Sequence, residues 1–405
     1  MAVFATWPLT VLLTSFLLAG SPAVQAQTAP VPLRIGVLTD MSGVYSEASG
    51  AGSLEAARLA AEDLGNTVNG RRIEILSADC QNKPDVGAAI ARRWYDQDGV
   101  GVIAEGCNSA VALAVQQLTR ERDRIALWSG PGSSALTGRY CSPNGIQWTY
   151  DTYALANALA RDVVGSGGKT WFFVTADYAF GQALEADATA VVTAAGGRVV
   201  GSVKHPLGTT DFSSYLLEAK ASGADVIALA NASTDTTTAV KQAAEFGFTG
   251  GRQRLTALLM LITDVRAVGL EAAQGLTLAE SFYWDRDEES RAFGRRFFGR
   301  VGRMPTMMQA GVYSAVQHYL RSVVTTKTDE TGPVLAEMRR TPVQNAVTRE
   351  GHIRVDGRMS ADMLVLRVKS PAASKEMWDI FDVVRTIPGE KAYRPIAEGG
   401  CTLGK

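Results

Sequence analysis

The sequence predicts an α/β protein of two similar lobes, each with a parallel sheet covered on both faces. Three observations predict it. Short apolar strands alternate with helical patterns over short connections, which is how a parallel sheet is wound. The same order restarts after residue 150. No Gly/Ser linker separates the two runs, so the chain crosses between lobes at several short points that act as a hinge.

The first run opens with a strand at 33–38. A helical pattern covers 54–64, then come a strand at 72–78, a helix at 86–95, a strand at 100–104, a helix at 111–118 and a strand at 125–128. The second run reads helix 153–164, strand 170–175, helix 183–195, strand 198–203 and helix 212–221. Phe212, Tyr215, Leu216 and Ala219 share one stripe of that last helix. Asp211 stands at its expected N-cap, where a carboxylate accepts the free N–H groups of the first turn. A strand at 225–229, a helix at 236–246 and a strand at 255–261 close the run. After Gly275 the pattern turns helical, at 288–301, 312–324 and 334–340. Two late strands, 353–355 and 363–368, flank the turn signal Asp356-Gly357-Arg358. A Pro/Gly-rich tail ends at Cys401.

Composition bounds the function. The net charge is −1 with no long run of one sign, which argues against nucleic acid or an anionic membrane as partner. Residues 1–26 contain an apolar run at 9–18 and end Val24-Gln25-Ala26, the pattern of a secretory signal cleaved near Ala26. The usual positive start is missing, since no Lys or Arg precedes Arg34. The run is short of the roughly 20 residues of a membrane span. No cysteine near the cut offers a lipid anchor. Cleavage leaves about 380 of the 405 residues, enough for two domains.

Four cysteines, Cys80, Cys107, Cys141 and Cys401, suit disulfides in an exported chain. Three pairings are possible, and spacing does not choose among them. Cys80 and Cys107 each follow a strand, on the sheet edge where ligands of α/β folds bind.

Several features read as decoys. Residues 165–170, GSGGKT, lack the phosphate-loop glycine five residues before Gly168, and a strand rather than a helix follows. His205, His318 and His352 are dispersed, with neither zinc-ligand spacing nor a triad pattern. No catalytic residue, metal or cofactor is predicted. Met304, Met307 and Met308 read as helix packing, and Arg291, Arg295, Arg296 and Arg300 as a solvated face. Phe282-Tyr283-Trp284 reads as either lobe core or an aromatic wall.

In six ordered stretches the chain resembles the periplasmic leucine/isoleucine/valine-binding protein family, the type I solute receptors of ABC importers. These are 35–43 (IGVLTDMSG), 77–91, 106–115, 177–181, 210–213 and 243–247. Residues 147–157 and 175–181 are similar to a branch associated with aromatic acids. The resemblance implies a type I periplasmic binding protein fold, two Rossmann-like lobes joined by a multi-crossover hinge. The first lobe is expected at 33–150 plus 280–348 and the second at 151–279 plus 349–387. The tail, 388–405, would return toward the first lobe and the hinge. The resemblance also implies a Cys80–Cys107 disulfide, which leaves Cys141–Cys401 as the second bridge.

The resemblance places the ligand as well. Asn108 and Ser109, with the loop of Gly130, Pro131 and Ser133, would hold a carboxylate, helped by the helix start near Ser109. Tyr178, Phe180 and Asn231 would close from the second lobe. Tyr45, Tyr150 and Phe282 would supply aromatic surface. Amino-acid receptors of the family carry a Glu where this chain has Ile262 or Thr263. A buried ammonium without a counter-charge costs on the order of several kcal/mol. Either Asp264 substitutes or the ligand carries no ammonium, and the second is favoured.

The expectation is therefore a monomeric periplasmic receptor that captures a small carboxylate by hinge closure and delivers it to an inner-membrane permease. An aromatic acid ranks ahead of a branched-chain amino acid. The rivals are a ligand-sensing module for a signalling partner and an enzyme, for which no convergent acid, base or nucleophile is visible.

Overall fold

The computed structural model describes residues 1–8, 30–248 and 252–403. Most of the expected leader lies outside the described residues. Among the described residues, no helix is long and apolar enough to cross a membrane.

The first sheet holds β1 (Leu33–Thr39), β2 (Thr67–Val68), β3 (Arg71–Asp79), β4 (Val100–Glu105), β5 (Ile125–Trp128) and β6 (Gly145–Gln147). Its order is β2-β3-β1-β4-β5-β6, parallel except for the β2–β3 hairpin. Helices α1 (Gly50–Glu62), α2 (Pro84–Asp96) and α3 (Ser109–Glu121) connect its strands. Apolar runs such as β1 and β4 are almost wholly buried, as strands covered on both faces must be. Gly36 on β1 lets α2 approach closely, since a Cβ there would lie 2.5 Å from the Trp94 ring.

The second sheet repeats the plan. It holds β7 (Thr170–Ala176), β8 (Arg198–His205), β9 (Val226–Ala230) and β10 (Arg254–Ala257), in the order β10-β9-β7-β8, all parallel. Its helices are α4 (Thr152–Gly165), α5 (Ala179–Ala194), α6 (Ser213–Ala221) and α7 (Thr234–Glu245). Setting β2 aside, both sheets share one winding order, with the first strand between the second and the third. In such sheets ligands bind outside the strand carboxyl ends, where the winding reverses. That point lies between β1 and β4 in one lobe and between β7 and β9 in the other.

Beyond β10 the chain departs from the expected pattern. The strand predicted at 255–261 stops at Ala257, because the buried residues 258–261 turn into α8 (Ile262–Val268). A short α9 (Leu270–Ala273) and an unanticipated β11 (Thr277–Glu280) follow. Helices α10 (Glu288–Val301), α11 (Met307–Thr326) and α12 (Thr331–Arg340) come next, with α10 and α11 packed on α1 of the first lobe. The turn at 356–358 joins β12 (His352–Ile353) to β13 (Met359–Ser360), not to the next long strand. Its Arg358 is buried and donates to the Tyr150 carbonyl, so the turn is anchored inward. Strand β14 (Met363–Val368) instead pairs antiparallel with β11 and with β15 (Phe381–Ile387). Asp211 is not the N-cap of α6, which is Phe212, yet its carboxylate still accepts the Ser213 N–H.

The chain thus passes between lobes three times, after β6, after β11 and before β14. The tail, with α13 (Gly389–Ala392) and α14 (Ile396–Gly399), runs along these crossings. Tyr393 donates to the Thr149 carbonyl at 3.3 Å. Arg394 binds Ser134 of the first lobe and pairs with Asp187 of α5. Cys401 is bonded to Cys141, and Cys80 to Cys107.

Candidate functional site

The two reversal points face each other across a narrow cavity, nearly closed in this structure. Its walls are Tyr45, Cys107, Asn108, Ser109, Gly130, Gly132, Tyr150, Tyr178, Phe180, Ala232 and Met308. Each residue follows from its element. Tyr45 comes after β1, Cys107 to Ser109 after β4, Gly130 and Gly132 after β5, and Tyr150 after β6. Tyr178 and Phe180 come after β7, Ala232 after β9, and Met308 from the first turn of α11.

The first-lobe wall is formed by the start of α3 and the loop after β5. Glu105, Gly106 and Cys107 all take positive φ, at 77°, 97° and 66°. This left-handed run is costly for residues other than Gly, and it leads straight into α3 at the cavity. Asn108 is the N-cap, and its Oδ1 accepts the Val111 N–H. Ser109 is the first helical residue rather than the cap, and its hydroxyl accepts the Ser133 N–H at 3.0 Å, joining the two loops. A helix start carries free N–H groups and a partial positive charge. Tyr150 donates to the Gly130 carbonyl at 2.8 Å. Gly132 is necessary, since a Cβ would lie 2.6 Å from the Tyr150 ring and 2.9 Å from that of Phe180.

The second lobe closes the opposite side. The Tyr178 hydroxyl hydrogen-bonds that of Tyr45 directly across the cleft. Burial pushes the pKa of both phenols up, so both keep their protons. The Tyr178 and Phe180 rings lie 6.2 Å apart.

Seven expected residues therefore meet at one cavity: Tyr45, Asn108, Ser109, Gly130, Tyr150, Tyr178 and Phe180. Six others are placed elsewhere. Pro131 and Ser133 support the loop from behind; the Pro131 carbonyl accepts from Gln147 and the Ser133 hydroxyl from Ala135 N–H. Asn231 is committed within the second lobe, donating to His205 Nε2 and accepting from Thr236. That leaves His205 neutral, its pKa lowered chiefly by burial. Asp264 accepts the Leu261 N–H at the start of α8, and burial raises it to about 7. Thr263 is buried beside it with an unpartnered hydroxyl. Phe282 is core, edge-on to Phe293 at 5.8 Å.

The ligand set expected from sequence lacks Cys107, Gly132, Ala232 and Met308, all of which line the cavity. Met308 had been assigned to helix packing, and methionines on a helix carry no mark of which one faces a cleft. Gly132 was legible, because it belongs to the same loop as Gly130.

Two parallel α/β lobes of equal winding order, closing over an uncharged cavity at their reversal points, define a bilobal ligand-binding protein. The family model for the periplasmic binding protein matches residues 32–375, and the chain belongs to that family. It is similar to a periplasmic binding protein from Burkholderia mallei, at 45% identity, covering 92% of this chain and 99% of that one, with a TM-score of 0.91. A branched-chain amino acid ABC transporter periplasmic ligand-binding protein from Burkholderia xenovorans LB400 shares 39% identity over 92% and 100% of the chains, at TM-score 0.82. Leu/Ile/Val-binding protein homolog 6 of Brucella abortus is 28% identical over 161 residues, a match spanning 40% of this chain and only 41% of that relative. An R. palustris solute-binding protein in complex with benzoate shares the fold, with 19% identity, 92% and 100% coverage and a TM-score of 0.79. Family and neighbours are binding proteins, not enzymes.

Proposed function

We propose that this protein is the solute receptor of an ABC importer, closing over a small carboxylate, an aromatic acid in preference to a branched-chain amino acid. One observation carries the ligand class: all eleven residues lining the cavity are uncharged, and four are aromatic. The start of α3 suits a carboxylate. Among the described residues no acid lines the cavity to neutralise an ammonium; Asp264 is occupied at α8, and Asp235 accepts the Gly208 N–H. The benzoate-bound relative supports the first choice. The second reading, a branched-chain amino acid, rests on the Burkholderia xenovorans relative and its higher identity. In both readings the closed form is handed to a membrane permease.

Thermal melts of the purified protein separate the readings. A ligand at 100 times its dissociation constant stabilises by about 2.7 kcal/mol. Benzoate and 4-hydroxybenzoate are expected to raise the Tm and leucine to leave it unchanged. Stabilisation by leucine or valine alone would overturn the aromatic-acid assignment.

A further inference from the structure

Glu105 ends β4 directly behind the first-lobe wall and belongs to neither ligand set nor core. It is fully buried. Its Oε2 accepts the Cys107 N–H at 2.6 Å, and its main-chain carbonyl accepts the N–H groups of Ser129 and Gly130 at 3.0 and 3.3 Å. One residue thus ties together both loops that line the cavity, the one after β4 and the one after β5. Its Oε1 has no hydrogen-bond partner, and a Cβ on Gly130 would lie 2.0 Å from it. This oxygen therefore abuts Gly130, which itself lines the cavity.

The groups facing the carboxyl offer no positive charge. They are the hydroxyls of Thr39 and Ser49, which bond each other at 3.2 Å, the carboxylate of Asp40 and the phenol of Tyr150. Cys107 is in a disulfide and does not titrate. A buried charge without a partner is strongly disfavoured, so such a group stays neutral.

We propose that Glu105 is a positioning residue whose uncharged carboxyl shapes the anion-holding wall, and whose ionisation weakens carboxylate binding. The proposal rests on the carboxylate reading above. The uncharged acid holds Cys107 without repelling an anion in front of it. Ionised, it sets a negative charge behind the same backbone, in a low-dielectric setting where like charges repel strongly.

Burial raises the Glu105 pKa to about 8, so the proton is held at pH 7 and lost above pH 8. At pH 9 roughly a tenth of the acid keeps its proton, so affinity should fall by up to about tenfold between pH 7 and pH 9. The test is isothermal titration of benzoate, 4-hydroxybenzoate and leucine into the wild type and Glu105→Gln at pH 6.5, 7, 8 and 9. The amide retains an oxygen for the Cys107 N–H and cannot ionise. Expected is a steep wild-type decline and a profile at least fivefold flatter in the variant. Circular dichroism at each pH verifies that both proteins remain folded. Asp235 and Asp264 also titrate near this range, raised to about 6 and about 7, but they are common to both proteins. Coincident profiles for a probe that binds would overturn the role of Glu105 alone. If no probe binds the wild type at pH 7, the carboxylate reading fails and takes this proposal with it. Should the variant unfold, Glu105→Asp is titrated instead, and an unchanged pH midpoint there would also overturn the proposal.

Discussion

Gly130 shows how much the cavity depends on one missing side chain. Gly130 lines the cavity, and a Cβ on it would lie 2.0 Å from the Glu105 Oε1. The acid cannot retreat, because its other oxygen is fixed on Cys107. Gly130→Ala should lower stability by about 1–3 kcal/mol through overpacking and reduce ligand affinity at least tenfold. Urea denaturation and titration check the two effects. A variant of wild-type stability and affinity would mean the loop has slack the structure does not display. At this scale the sequence was partly legible. Asn108 and Tyr178 could be placed by the family resemblance, and their position in short loops at strand carboxyl ends agrees with it. Asn231 and Phe282 could not, since the same position suits a core partner equally well. His205 decides the case of Asn231, and Phe293 that of Phe282. His205 stands 26 positions from Asn231, and Phe293 lies on the following helix, α10, so neither contact is marked by local spacing.

Among the elements, those with a strong period were found and those without one were missed. Helices such as α2 and α10 bury one stripe, so their spacing betrays them. Strands β6 and β11 have three and four residues, too few to show alternation. Strand β15 is exposed at five consecutive positions and shows no apolar–polar alternation to mark it. The strand predicted through Leu261 failed for a different reason: residues 258–261 are apolar because they are buried, although they are not extended in a sheet. Burial and strand pattern coincide in parallel sheets, so composition does not separate them.

For the molecule as a whole, the tail matters most. The Cys141–Cys401 bridge spans 260 residues and fixes the tail to the first lobe, while Arg394 and Lys391 hold it to α5 and α4 of the second. Cross-links closing long loops stabilise most, with removal typically costing about 2–5 kcal/mol. The double substitution Cys141→Ser with Cys401→Ser should therefore lower the melting temperature by several degrees or more. An unchanged melt would show that the polar contacts of the tail suffice. This pairing was implied by the resemblance and not by spacing. The tail's path along the crossings had no local signal at all.

The hydroxyl contact between Tyr45 and Tyr178 has one more consequence. Tyr45 follows the first strand of one sheet, and Tyr178 follows the first strand of the other. The contact therefore joins corresponding positions of the two sheets, and its two members form a single degree of freedom. Tyr45→Phe and Tyr178→Phe should each shift the closed state toward opening by about 0.5–1.5 kcal/mol. The double variant should cost no more than either alone. Small-angle scattering of the unliganded protein reads the shift, and additive costs would mean that the two phenols act independently rather than as one pair.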